Sequence, residues 1–158
     1  MARIAFFQFA FASAIAASAA LAGEQPRFFN LESARRSDTD SQERQTLTNR
    51  YNASLREIKA RYALYQANRI GFADVSDGLA RFAKLGAELA QTSSQRVHHW
   101  EMALDAMRAV ESVAEARYER DTESLKSVLR AKAVRFDAEI ELCRAQDVAK
   151  RDRAAGGE

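Results

Sequence analysis

The chain has 158 residues, with 24 basic and 22 acidic side chains, two histidines and one cysteine. That length suits one domain with a modest core, and the near-balance of interleaved charges argues against nucleic acid as a partner. Cys143 has no second cysteine to pair with inside the chain, so the core must come from packing.

The first segment, "MARIAFFQFAFASAIAASAALAG", carries Arg3, an apolar run from Ile4 to Leu21 and a small-x-small ending at Ala20-Leu21-Ala22. This pattern predicts a signal peptide over residues 1–22, cleaved after Ala22, and an exported chain, periplasmic or secreted. A bacterial lipoprotein signal would place cysteine after Leu21-Ala22-Gly23, and Glu24 stands there instead, so no lipid anchor is expected. Residues 23–46 hold the only proline, Pro26, and a polar run from Ser33 to Gln45 without apolar periodicity. They read as a flexible leader, with Phe28, Phe29 and Leu31 as its only docking candidates.

From Leu47 the apolar spacing is helical and no stretch alternates with the period of a strand. The first helix presents Leu47, Tyr51, Leu55, Ile58, Tyr62 and Tyr65; the second presents Phe72, Val75, Leu79, Phe82, Gly86 and Leu89. Val97, Trp100, Leu104, Met107, Val110, Ala114 and Tyr118 mark the third helix. Leu125, Leu129, Ala133, Phe136, Ile140 and Cys143 mark the fourth, widened by Val128. Each stripe needs a partner helix. The expectation is an all-α domain over residues 47–152, built of antiparallel helical hairpins as an up-down four-helix bundle or an elongated, coiled-coil-like hairpin array, followed by a disordered tail over 153–158. Phe82, Leu79, Trp100, Leu104, Leu129 and Phe136 are its expected most buried residues.

Turn chemistry separates the helices. "NRIG" at 68–71 ends in Gly71, expected to take the left-handed conformation after a helix, which Asn68 also tolerates. "DTES" at 121–124 offers capping oxygens. Thr92 and Gln95 stand in capping-box spacing, and the break there is either a reversal or a kink in one long rod. In a gapless register Tyr65 falls on Tyr118, Phe72 on Leu125, Val75 on Val128, Ala80 on Ala133 and Glu88-Leu89 on Glu141-Leu142. The chain therefore uses one αα-hairpin twice. A reversal at Thr92 would bring both repeat turns to one end, with Asn68, Arg69, Gly71, Asp121, Thr122 and Ser124 as a candidate interaction tip.

"EARYERDTESLKSVLRAKAVRFDAEIELCRAQ", residues 115–146, resembles the tip-and-return segment of TolC-like outer-membrane efflux factors. Tyr118, Thr122, Leu125, Val128, Leu129, Ala138, Glu139 and Ile140 stand at the matching positions, and "YQANRIGFADV" is similar to that family's other tip. The resemblance implies tips that meet an adaptor protein at the mouth of a channel. Asp121 replaces the family's glycine and Ser127 its aspartate, although Asp74 keeps the aspartate in the first copy. With no strand-like alternation, this chain cannot form the channel alone.

Catalytic chemistry is sparse. The adjacent His98 and His99 would point about 100° apart on a helix and cannot chelate one metal together. His98, Glu101, Met102 and Asp105 share a helical face and are the weak metal candidates, set against a plain surface histidine beside a core tryptophan. Cys-x-x-Cys-His and Glu-x-x-His are both absent. Cys143 reads as a buried small hydrophobe, or more sharply as an intermolecular disulfide partner. The expected function is a non-enzymatic interaction or scaffold protein of a cell envelope, needing no cofactor, with protein partners or a second copy of itself. The alternative is a periplasmic metal-responsive or chaperone-like helical stress protein centred on His98.

Overall fold

The computed structural model describes residues 26–35 and 37–156. The expected signal peptide, residues 1–22, lies outside the described residues, as do the last two tail positions. Ser41 opens α1 (Gln42–Gln66) by accepting a hydrogen bond from the Arg44 amide. The domain therefore starts within the polar run expected to be leader, not at Leu47, because an oxygen cap and a solvent-facing first turn start a helix without apolar periodicity. Helix α2 (Phe72–Leu89) follows Gly71. Helix α3 (Ser93–Tyr118) begins with a full capping box, in which Thr92 accepts from the Gln95 amide and the Gln95 side chain accepts from the Thr92 amide. Helix α4 (Leu125–Ala155) starts at Ser124, whose hydroxyl accepts from the Ser127 amide. It continues as helix through Ala155, so the tail expected from residue 153 is helical over its first three positions.

Surface pairs give the register of the helices. Arg81 lies 3.1 Å from Glu57, and the Arg61 guanidinium donates to the Asp74 carbonyl, so α1 and α2 run antiparallel. Lys132 lies 2.9 Å from Glu115, Arg135 2.5 Å from Glu111 and Arg108 3.3 Å from Glu139, so α3 and α4 do too. The break at Thr92 is a reversal, and α4 runs beside α2 in the same direction, with Arg130 3.6 Å from Asp77. The chain is an all-α, up-down bundle in which each helix packs chiefly on its neighbour in sequence.

The stripes expected of the first three helices lie in or against the core, except Tyr118, which ends α3 exposed to solvent. Tyr51, Leu55, Ile58, Tyr62 and Tyr65 of α1 meet Phe72, Val75, Leu79, Phe82 and Leu89 of α2, with Leu104, Met107 and Val110 of α3. Phe82 stacks on Tyr51 at 5.4 Å between centroids. Trp100 seals a smaller cluster with Ala83, Ala103 and Ala145. Truncating one of the large side chains in such a core removes several kcal/mol, about 3–5 for Phe to Ala.

Helix α4 is turned over relative to expectation. Its buried positions are Val128, Ala131, Ala138, Ala145 and Ala149, whereas Leu129 is 58 % exposed, Phe136 51 % and Ile140 49 %. Leu125, Ala133 and Cys143 are exposed as well, so Leu129 and Phe136 are not core residues and Cys143 is not a buried hydrophobe. Small side chains let α4 approach α3 and α2 closely, and close approach of backbones favours alanine over leucine at the contact line. The alanines at 131, 138 and 145 recur every seven residues, a signal that was available in the sequence but outweighed by the larger side chains on the opposite face.

The leader is not loose against this frame. Residues Arg27–Asn30 form a 3-10 turn, and the Arg27 amide donates to Asp105 of α3 at 2.9 Å. Phe29 meets Tyr62 edge-on at 5.4 Å. Lys59 donates to the Leu31 carbonyl, and Asn52 exchanges two hydrogen bonds with the Ala34 backbone, at 2.7 and 2.9 Å. An amide side chain that satisfies both backbone groups of one residue ties down a segment that has no regular secondary structure of its own.

Candidate interaction surfaces

The two repeat turns are built alike. Asn68 and Asp121, which fall on each other in the repeat register, both take the left-handed conformation, with φ of 58° and 56°. The Asn68 amide donates to the Tyr65 carbonyl and the Arg69 amide to the Leu64 carbonyl; the Asp121 amide donates to Tyr118 and the Thr122 amide to Arg117. These are the paired bonds of a Schellman cap, which satisfies the last free carbonyls of a helix. The left-handed position belongs to Asn68 and not to Gly71, which has φ of −83° and serves as the N-cap of α2. Asn and Asp tolerate this conformation because their short polar side chains bond locally.

Both turns lie at one end of the bundle, and Asn68, Arg69, Gly71, Asp121, Thr122 and Ser124 are all exposed. Arg117 fastens the two hairpins together beneath them. Its buried guanidinium donates to the Tyr65 carbonyl, lies 4.1 Å over the Tyr65 ring and reaches within 3.9 Å of Glu123. A cation at the C-terminal end of α1 complements the helix dipole, and Arg117 shares the Tyr65 carbonyl with the Asn68 amide. Burial pushes the Tyr65 phenol up to about 12, against a smaller lowering from Arg117, and among the described residues its buried hydroxyl meets no hydrogen-bond partner. Sequence reasoning missed Arg117, because an arginine in a charged helix end looks like any solvated side chain.

The weak metal candidates do not converge. Met102 is buried, His98 and Glu101 are exposed, and Asp105 is engaged by the Arg27 amide. Among the described residues no three His, Cys, Asp or Glu side chains are placed to hold a metal ion. His99, not His98, is the histidine with a structural role. Its ring lies against Gly86 of α2 and edge-on to Tyr51 of α1 at 5.7 Å, and burial, with His98 second, holds its pKa below 6.5.

The second surface is the outer face of α4. Leu129, Ala133, Phe136, Ile140 and Cys143 follow one another at steps of four and three, which keeps them on one side of a helix, opposite the buried alanines. Phe136 is held in place: the Arg135 guanidinium lies 4.2 Å over its ring and is itself paired with Glu111 and Glu139, at 2.5 and 2.7 Å. Beside the stripe, a cleft of about 510 Å³ opens between α2 and α4, floored by Trp100, Met107 and Val134 and rimmed by Lys84, Asp137, Ile140 and Arg144. Among the described residues no helix is long and apolar enough to cross a membrane. Comparison with family models, with curated proteins and with solved structures found no match to this chain.

Proposed function

We propose that this protein is an exported, non-catalytic interaction module of a cell envelope, acting by contact through the outer face of α4 and the twin-turn end of the bundle. The observation that carries the reading is the inversion of α4, which buries alanines and leaves Leu125, Leu129, Phe136 and Ile140 about half exposed in a single row. Large apolar side chains scattered singly on a surface mean little, but a contiguous row on one helix is characteristic of a surface that another helix covers. The leading segment supports export. The resemblance of residues 115–146 to the tip-and-return segment of TolC-like efflux factors agrees with a contact role in an envelope.

The test is site-specific photo-crosslinking in cells that export the protein, with the photoreactive residue at 129, at 136, at 69 and, as a control, at the exposed Ser112 of α3. Discrete protein adducts from 129 and 136 but not from 112 are expected, on a chain whose intact mass begins at Gly23. Absence of adducts from 129, 136 and 69 alike would overturn the contact reading.

A further inference from the structure

We infer that the stripe on α4 pairs with the same stripe of a second copy, antiparallel, about a two-fold axis passing between Ala133 and Phe136. The inference deepens the contact reading above and rests on it. Leu129, Phe136 and Cys143 occupy one seam position of a heptad, and Ala133 and Ile140 the other. In an antiparallel pair each position of the first kind faces one of the second. With the axis placed between Ala133 and Phe136, Leu129 meets Ile140 of the copy and Phe136 meets Ala133, each contact occurring twice. The layer volumes are then even, a large ring against a methyl and two branched aliphatics against each other, as close packing requires.

A parallel pair would stack Phe136 on Phe136 and Ala133 on Ala133, an overfilled layer beside an underfilled one. The charges that border the seam agree with the antiparallel register. Arg130 and Asp137 lie along one edge, and Lys132 and Glu139 along the other. The same axis sets Arg130 opposite Asp137 of the copy and Lys132 opposite Glu139, four oppositely charged pairs with no like-charge contact among them. Within one chain Arg130 and Lys132 already lean on Asp77 and Glu115, at 3.6 and 2.9 Å, but these pairs are exposed and cost little to share or exchange. Phe136, clamped by Arg135, is presented as a ready anchor, and aromatic anchors at the centre of a patch dominate the affinity of small interfaces. The seam spans about two heptads, or roughly 20 Å at 1.5 Å per residue, which lies at the small end of specific interfaces, so the dimer is reversible and depends on concentration.

The experiment is sedimentation equilibrium of the full exported chain over a range of concentrations, with a spin label on Cys143. A mass rising towards that of the dimer is expected, together with a label-to-label distance of about 25 Å, because Cys143 of each copy lies about 17 residues along the helix from the other. Phe136→Glu should weaken association at least about 30-fold. Asp137→Arg should weaken it about tenfold, and adding Arg130→Asp to the same chain should restore it. A chain that stays monomeric throughout overturns the inference; if crosslinks from 129 and 136 to other proteins persist in that case, the contact reading stands and only its occupant changes. A dimer whose Cys143 residues join on mild oxidation, or one rescued by pairing Lys132→Asp with Asp137→Lys, would overturn it in favour of a parallel pair. Should Phe136→Glu unfold the chain, the charge-exchange variants decide.

Discussion

Arg117, in the last turn of α3, donates from its guanidinium to the carbonyl of Tyr65 in the last turn of α1 while lying over the ring of that same tyrosine. One buried cation therefore joins the ends of two hairpins that no loop connects. Replacing it with Met keeps most of the stem's volume but removes the charged hydrogen bond and the cation–π contact, and leaves Glu123 facing an apolar end. The expected loss is about 2–4 kcal/mol, read from urea unfolding of Arg117→Met beside the parent. A loss below about 0.5 kcal/mol would mean that the hairpins hold together without it.

The twin caps make a prediction about residue type. Asn68→Val and Asp121→Val should each cost about 1–2 kcal/mol, since a β-branched side chain is strained in the left-handed conformation. Asn68→Gly and Asp121→Gly should be neutral or mildly stabilising. Gly71→Ala should change stability by less than about 0.5 kcal/mol: its φ is ordinary, its Cβ would have nothing nearer than 4.0 Å, and the loss of unfolded-state freedom offsets a poorer N-cap. Thermal melts of the five variants would rank them.

Gly86 and His99 should behave as one unit. A Cβ at position 86 would lie 2.7 Å from the His99 Nδ1, so Gly86→Ala must displace the ring, at a cost of about 1–3 kcal/mol. In a His99→Ala background the same change should be nearly free, and the double-mutant cycle measures the difference.

The pH dependence of stability follows from the same ring. Burial lowers the pKa of His99 below its ordinary 6.5, so the unfolded chain binds the proton more readily than the folded one. Stability is then complete above pH 6.5 and falls as pH drops through 6.5 towards the folded-state value. The melting temperature should be lower at about pH 5.5 than at about pH 7.5, and His99→Gln should flatten that change. An equal slope in the variant would place the titrating group elsewhere.

Two phenylalanines separate core from surface. Phe82→Ala should cost about 3–5 kcal/mol, because Phe82 is 1 % exposed and stacked on Tyr51. Phe136→Ala should cost less than about 1 kcal/mol in dilute protein, where its outer face meets only water. Chemical unfolding at low protein concentration checks both.

The helical period, the oxygen caps and the lack of strand alternation were sufficient to read the four helical stripes and, Tyr118 apart, the inward faces of α1, α2 and α3 from the sequence, while the break at Thr92 stayed open between a reversal and a kink. These are local properties: a capping box at Thr92 or a three-four spacing from Phe72 to Leu89 acts over one or two turns of chain. The repeat was legible for the same reason, although the left-handed residue of its first turn was expected at Gly71 and lies at Asn68. What the tertiary structure decided was which of two faces α4 turned inward, and which residue bound the hairpins. The contact line had room for the alanines at 131, 138 and 145 but not for Leu129 and Phe136, because α4 lies close against α3 and α2, whose large side chains already fill the core. Available volume is a property of all the helices together, and no window of sequence contains it. Arg117 was hidden for a similar reason: its partner is a backbone carbonyl on α1, and any residue at position 65 would have supplied one.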